Sequence, residues 1–255
     1  MLILCYGITK SGSTLAFELV KGMLESAGYP QERLADGLVE PGHKINFVAG
    51  TLNRKRVRAL SNAIGPDRII AIKTHADFDV RQFAWFEKIH KSGDLLVVAS
   101  YRDPRDICLS LIDAGARARA RNMKPFSTIA DLPTAITGIQ KQILKFRKWA
   151  SLRGALRLEY ELVAFAPDEA MDLIEQRINL KYDKAAAKKH AFEKAFTQKN
   201  KAQPRRHQSE LSEDQQQQLT AAFEPFISGV FENVDERWFS GYREKVLSQN
   251  VSSER

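Results

Sequence analysis

Three short stretches carry residue types whose spacing could do chemistry. In the first, "CYGITKSGSTLAFELV", Lys10, Ser11, Gly12, Ser13 and Thr14 follow an apolar run over residues 1–8. A strand feeding a glycine-containing turn and then a helix presents unpaired backbone N–H groups at the positive end of the helix dipole. Such a turn can wrap a phosphate or sulfate, and Lys10 would add a full positive charge at its lip. A plain strand-to-helix turn with Ser or Thr capping the helix is the alternative. In the second stretch, "AIKTHADF", Lys73 and His75 are two apart and share one face of a strand. A histidine there could take a proton from an acceptor group, and a lysine beside it could stabilise charge on a transferred group. A half-exposed polar strand end would use the same residues. In the third, "YRDPRDICLSL", Arg102 and Ser110 could converge on one phosphate. Asp103 and Asp106 suit the start of a helix, and Arg105 with Asp106 could form only a surface ion pair.

The elements that must position these residues alternate along the chain. Apolar runs predict strands over residues 1–8, 68–75, "DLLVVASYR" and 155–161. Helical spacing follows each of them: from Gly12 to a stop at Gly28 and Pro30, over 79–91, from Pro104 through "ARARA", and over 167–178. "NRKRVRALSNAIG" reads as a short basic helix and 132–151 as a long one, while residues 29–50 and 122–130 read as loops. The C-terminal part predicts helices over 183–197, 212–229 and 236–248. Strands that are continuous apolar runs alternating with helices predict an α/β fold, a single domain over 1–255 with a parallel sheet flanked by helices and a helical C-terminal part. Ligands of such sheets bind at the carboxyl ends of the strands. Those ends are Lys10-Ser11-Gly12, Lys73-Thr74-His75 and Arg102-Asp103, all polar or charged.

Composition narrows the classes. The chain has 255 residues, 44% hydrophobic and 27% charged, as expected of a soluble globular domain. No apolar run approaches the roughly 20 residues that span a bilayer, and the start of the chain lacks the pattern of a signal peptide, which predicts a cytoplasmic protein without a leader. Cys5 and Cys108 make no metal-ligand pattern and read as small core residues. A net charge of +8 suits a polyanionic partner without choosing it, and no nucleic-acid motif is present.

Taken together, the three stretches resemble the ordered signatures of sulfotransferases that use 3′-phosphoadenosine 5′-phosphosulfate (PAPS). "TKSGST" resembles that family's P-K-S-G-T/S-T/S loop, "IKTH" its K-T-H strand end, and "YRDPRDICLS" its R-D/N-P-x-D-x-x-x-S motif. "LRLEYELV" resembles its Y-E-D/E-L segment. The resemblance covers much of residues 5–165 and implies a P-loop-like α/β domain that binds PAPS, releases 3′-phosphoadenosine 5′-phosphate (PAP) and requires no metal. It implies that Lys10 contacts the phosphosulfate, that Ser11, Gly12, Ser13 and Thr14 cradle the 5′-phosphate, and that Arg102 and Ser110 hold the 3′-phosphate. His75 would be the base that deprotonates a hydroxyl or amine, with Lys73 stabilising the transferring sulfonyl group.

The chain departs from the pattern in places. Thr9 replaces the usual proline, and Leu15 stands where many members place a tryptophan near the adenine. In place of a late R-K-G segment it has "NKAQPRRHQSELS", where Arg205 and Arg206 either bind phosphate or belong to a solvated basic loop. Tyr160 is expected to pack at a strand end rather than to approach the adenine. A P-loop kinase of a nucleotide or small molecule is the first rival, but its G-x-x-x-x-G-K-S/T loop has the lysine after the second glycine. A non-catalytic nucleotide-binding protein is another. The acceptor, a small molecule or a glycan, would be shaped by residues 29–50, 112–130 and the C-terminal helices.

Overall fold

The computed structural model describes residues 1–195, 203–233 and 235–252. Five parallel strands form the central sheet: β1 (Leu2–Gly7), β2 (Phe47–Val48), β4 (Ile70–Thr74), β6 (Leu95–Tyr101) and β7 (Leu156–Glu159). Their order is β2-β4-β1-β6-β7, and β3 (Thr51–Leu52) with β5 (Asp77–Phe78) makes a separate parallel pair. From β1 the chain runs outward to the edge strand β2, returns to β4 beside β1, and then crosses to β6 on the other side. Connections therefore diverge between β1 and β6, the switch point where open α/β sheets form a crevice at their carboxyl ends.

Side-chain alternation along the strands builds two cores. Leu2, Leu4 and Tyr6 of β1 join Ile70, Ile72, Val97 and Ala99 on one face. Helices α2 (Arg54–Ile64), α3 (Phe83–Lys91), α4 (Pro104–Ala120) and α5 (Leu132–Ala150) cover that face. Ile3 and Cys5 join Ala71, Leu96 and Val98 on the other, beneath α1 (Ser13–Ser26), α6 (Tyr160–Phe165), α7 (Pro167–Ile178) and α8 (Lys184–Lys189). The period of two, with both faces apolar, is what a doubly covered parallel sheet demands. Cys5 and Cys108 are free and buried, as expected of core residues. Among the described residues no helix is long and apolar enough to cross a membrane.

The C-terminal part is helical, with α9 (Arg206–Glu210), α10 (Glu213–Phe226) and α11 (Glu236–Ser252). Several expected boundaries move. The helix expected over 183–197 is α8 followed by a π-helical turn, His190–Lys194, where His190 meets Glu18 and Glu25 of α1; residues 196 and 197 lie outside the described residues. The helix expected over 212–229 widens into a π turn, Ile227–Glu232, just after Pro225, whose missing N–H interrupts the regular ladder. The strand expected to reach residue 161 stops at Glu159, and Tyr160 opens α6. The loop expected over 29–50 contributes β2, pairing Phe47 with Lys73 and Val48 with Thr74.

Candidate active site

The three strand ends are neighbours. Register places Tyr6 beside Thr74 and Gly7 beside Ser100, so β4, β1 and β6 finish at one level. After β1 the chain turns through two residues in left-handed conformation, Lys10 (φ 69°) and Gly12 (φ 73°). For lysine this backbone costs about 1–2 kcal/mol, a strain held in place by the surroundings. The Thr9 amide donates to Oε1 of Gln142 on α5 at 2.6 Å, the Ser11 amide to the Ile8 carbonyl, and the Ser11 hydroxyl to the Ser100 carbonyl at 3.2 Å. Gly12 occupies the cap position of α1, and no side chain caps that helix. The serine-capped turn weighed as an alternative is thus not the one the chain adopts. Glycine at position 7 is required sterically, since a Cβ there would lie 2.3 Å from that of Ser13. At Gly12 a Cβ would come within 2.4 Å of the Tyr160 ring.

Lys73 and His75 meet as their spacing predicts, with Nζ 3.3 Å from Nε2. Nδ1 of His75 lies 2.6 Å from the Gly7 carbonyl oxygen, which can only accept. Nδ1 therefore carries the proton, and Nε2 offers its lone pair to Lys73. Burial lowers the pKa of His75 to about 4, helped by the charges of Lys73 and Lys145, while its bond to Gly7 opposes them. Burial likewise lowers Lys73 to about 8, against the attraction of Glu18. Phe47 walls this pair, its ring centroid 5.5 Å from Lys73 Nζ and 6.0 Å from that of the His75 ring. Lys10 is also lowered, first by burial and then by Arg117, with Asp113 opposing and Arg102 adding to the effect. The loop lysine thus shares its field with α4 and the third strand end.

Arg102, 6% exposed, lies with its guanidinium 4.3 Å from the Tyr160 ring centroid. Nη2 donates to Asp106 at 3.2 Å and to the Gln203 carbonyl at 3.0 Å. Among the described residues Nε, buried, has no hydrogen-bond partner; it lies 3.7 Å from Oε1 of Glu161, whose buried Oε2 likewise finds none there. Burial raises the Glu161 carboxyl to about 7, against the pull of Arg102. Ser110 is buried on α4, two turns after the helix start, and Ser13 is buried while Thr14 is half-buried beside the loop. Tyr160 packs between Gly12 and Arg102, as expected of a packing residue. Leu15 belongs to the core under α1.

Other assignments change. Asp106, expected to complement a helix start, is completely buried and accepts from both the amide and Nδ1 of His207 as well as from Arg102. Burial alone would raise this carboxyl, but the His207 bonds and Arg102 hold it below its ordinary value. Arg105 pairs with Asp103, the cap of α4, rather than with Asp106. Arg206, considered for phosphate binding, is 2% exposed and donates to Asp113 and Glu210. Its guanidinium braces α9 against α4 instead of lying in a solvated loop. Arg205 is exposed in left-handed conformation, and residues 200–202 of the same stretch lie outside the described residues. Sequence reasoning missed Gln142, Glu161 and His207, although Glu161 lies in "LRLEYELV" and His207 in "NKAQPRRHQSELS", stretches that had drawn notice.

No family model matches the chain, and no curated protein matches it.

Proposed function

We propose that this protein is a sulfotransferase that moves a sulfonyl group from PAPS to a hydroxyl or amine of an acceptor. The observation that carries this reading is the convergence of Lys10, the Lys73–His75 pair and Arg102 on three adjacent strand ends at the switch point of the sheet. The residues suit the donor. The uncapped start of α1, with Gly12, Ser13 and Thr14, offers backbone donors to a 5′-phosphate, and Ser11 fixes the turn. Arg102, whose buried Nε has no hydrogen-bond partner among the described residues, is with Ser110 the candidate for the 3′-phosphate that separates PAPS from ATP. Exposed Arg205 is the remaining candidate of the late basic stretch.

When bound, the nucleotide supplies the sulfonyl group and leaves as PAP. His75 takes the acceptor proton at Nε2, with Nδ1–H held on Gly7 so that the ring keeps its tautomer and orientation. Lys73, already beside Nε2, supplies positive charge where the transferring group gathers negative charge. Lys10 does the same at the loop lip. A kinase would need a free carboxylate at a strand end, but Asp103 caps α4 and binds Arg105.

Calorimetry with PAP and ADP tests the reading. A charge-assisted contact to the 3′-phosphate is worth roughly 1.5–3 kcal/mol, so PAP should bind about ten- to a hundredfold more tightly. Equal affinity, or no binding of either, would sink it. Tight PAP binding without transfer to any acceptor would leave a non-catalytic nucleotide-binding protein.

A further inference from the structure

The surroundings of His75 include a cation that the transfer scheme does not use. Helix α5 runs past the strand ends: Gln142 bonds Thr9 and Tyr6, Lys148 bonds Asp77, and Trp149 bonds the Ala76 carbonyl. Lys145 is one turn from both ends of this contact strip, on the same helix face as Gln142 and Trp149. It acts electrostatically on His75, and the two side-chain charges that act on that ring, Lys73 and Lys145, are both positive. Lys145 is half-buried, and no carboxylate pairs with it among the described residues. Lys141, one turn earlier, is exposed, and Leu144 beside them is 62% exposed. Lys145 thus stands near the ring as a cation that no carboxylate answers among the described residues, whereas its neighbour Lys148 is engaged by Asp77.

We propose that the acceptor itself is an anion, and that Lys145 binds its carboxylate, sulfate or phosphate group beside the hydroxyl that His75 deprotonates. The inference rests on the sulfotransferase reading and adds the substrate class. Lys145 is then a specificity-determining residue: it holds the acceptor at the base, while Lys10, Arg102 and the loop hold the donor.

The test pairs acids with their methyl esters, using labelled PAPS and two sets of probes: 4-hydroxyphenylacetic acid with its ester, and phenyl glucuronide with its ester. The acid should be used about tenfold more efficiently than its ester in at least one pair, the scale of one fixed charge at a binding site. Lys145→Gln should erase that preference through the KM for the acid, leaving the KM for PAPS and the affinity for PAP unchanged; Lys141→Gln should weaken it less. Esters used as well as acids, no use of either pair by a protein that binds PAP, or a Lys145→Gln effect on PAPS instead would each overturn the inference alone. Failure of PAP to bind would overturn the sulfotransferase reading beneath it.

Discussion

The ammonium of Lys73 is 3.3 Å from Nε2 of His75, so the proposed charge stabiliser and the proposed base share one hydrogen bond. The lone pair that must accept a proton is thus pointed by the residue that must later face the transferring group. Removing the ring removes the base but no part of the donor cradle. His75→Ala should therefore keep PAP affinity within about twofold and lower turnover by roughly 10²-fold or more. Unchanged turnover on a working acceptor would show that His75 is not the base.

The same pair sets the pH dependence. Burial first, and then the charges of Lys73 and Lys145, favour neutral His75, so it protonates only as pH falls through about 4. Lys73 loses its charge as pH rises through about 8, chiefly because it is buried. For the acceptor, at saturating PAPS, kcat/KM should be flat between these limits, falling on the acid side as the base is blocked and on the alkaline side as the stabilising charge is lost. Lys73→Met should abolish the alkaline limb and move the acid limb upward, since a positive neighbour of His75 is gone. An acid limb that stays put would mean that burial alone governs the histidine.

The strand ends were legible in the sequence because each is an apolar run that stops at a charge, and because residues two apart must share a strand face. That is why Lys73 and His75 meet as expected and why Lys10 and Arg102 lie at one crevice. The two-residue strand β2 was not legible: no period can be read from Phe47 and Val48 alone. Nor was the link from Asp106 to His207, which joins residues 101 apart through a buried carboxylate. A basic run discloses its charge but not its partners, so Arg206 read equally as a ligand for phosphate or as a solvated charge, although Asp113 and Glu210 already hold it.

Lys10 separates stability from function. Its left-handed backbone (φ 69°) is one that glycine adopts without the Cβ penalty. Lys10→Gly should raise stability by about 1 kcal/mol, less the added freedom of glycine in the unfolded chain. The same change should weaken PAP binding and lower turnover, because the cation at the loop lip is lost. Thermal melting and calorimetry on one sample check both signs. A loss of stability would show that the ammonium, half-buried near Asp113, helps to hold the loop.

Arg206 and Asp106 should part in the opposite way. Arg206→Gln leaves Asp113 and Glu210 without the guanidinium that joins them; both carboxylates retain some solvent, so the cost should be about 2 kcal/mol. PAP affinity, measured well below the melting transition, should hold within about twofold. Asp106→Asn keeps the shape but weakens the grip on Arg102, and PAP affinity should fall more than ADP affinity. If Arg206→Gln were the variant that lost PAP selectively, Arg206 would be a phosphate ligand after all.

Glu161 gives a pH effect on binding that is separate from catalysis. Its carboxyl, raised to about 7 by burial, lies 3.7 Å from Arg102 through Oε1. Below that pH it is largely neutral; above it, a negative charge stands beside the residue proposed to hold the 3′-phosphate. A like charge near an anion weakens its binding, so PAP affinity should rise as pH falls from about 8 to about 6, while ADP, without a 3′-phosphate, should respond less. The 3′-phosphate takes up protons itself near pH ~6, which opposes this trend and is common to every variant. Glu161→Gln removes the titrating group without removing its volume, so it should bind PAP at the upper pH as tightly as the parent does at the lower one, or better. A parent and a variant with the same pH profile would place Glu161 outside the reach of the nucleotide and leave its carboxyl only a packing partner of Arg102.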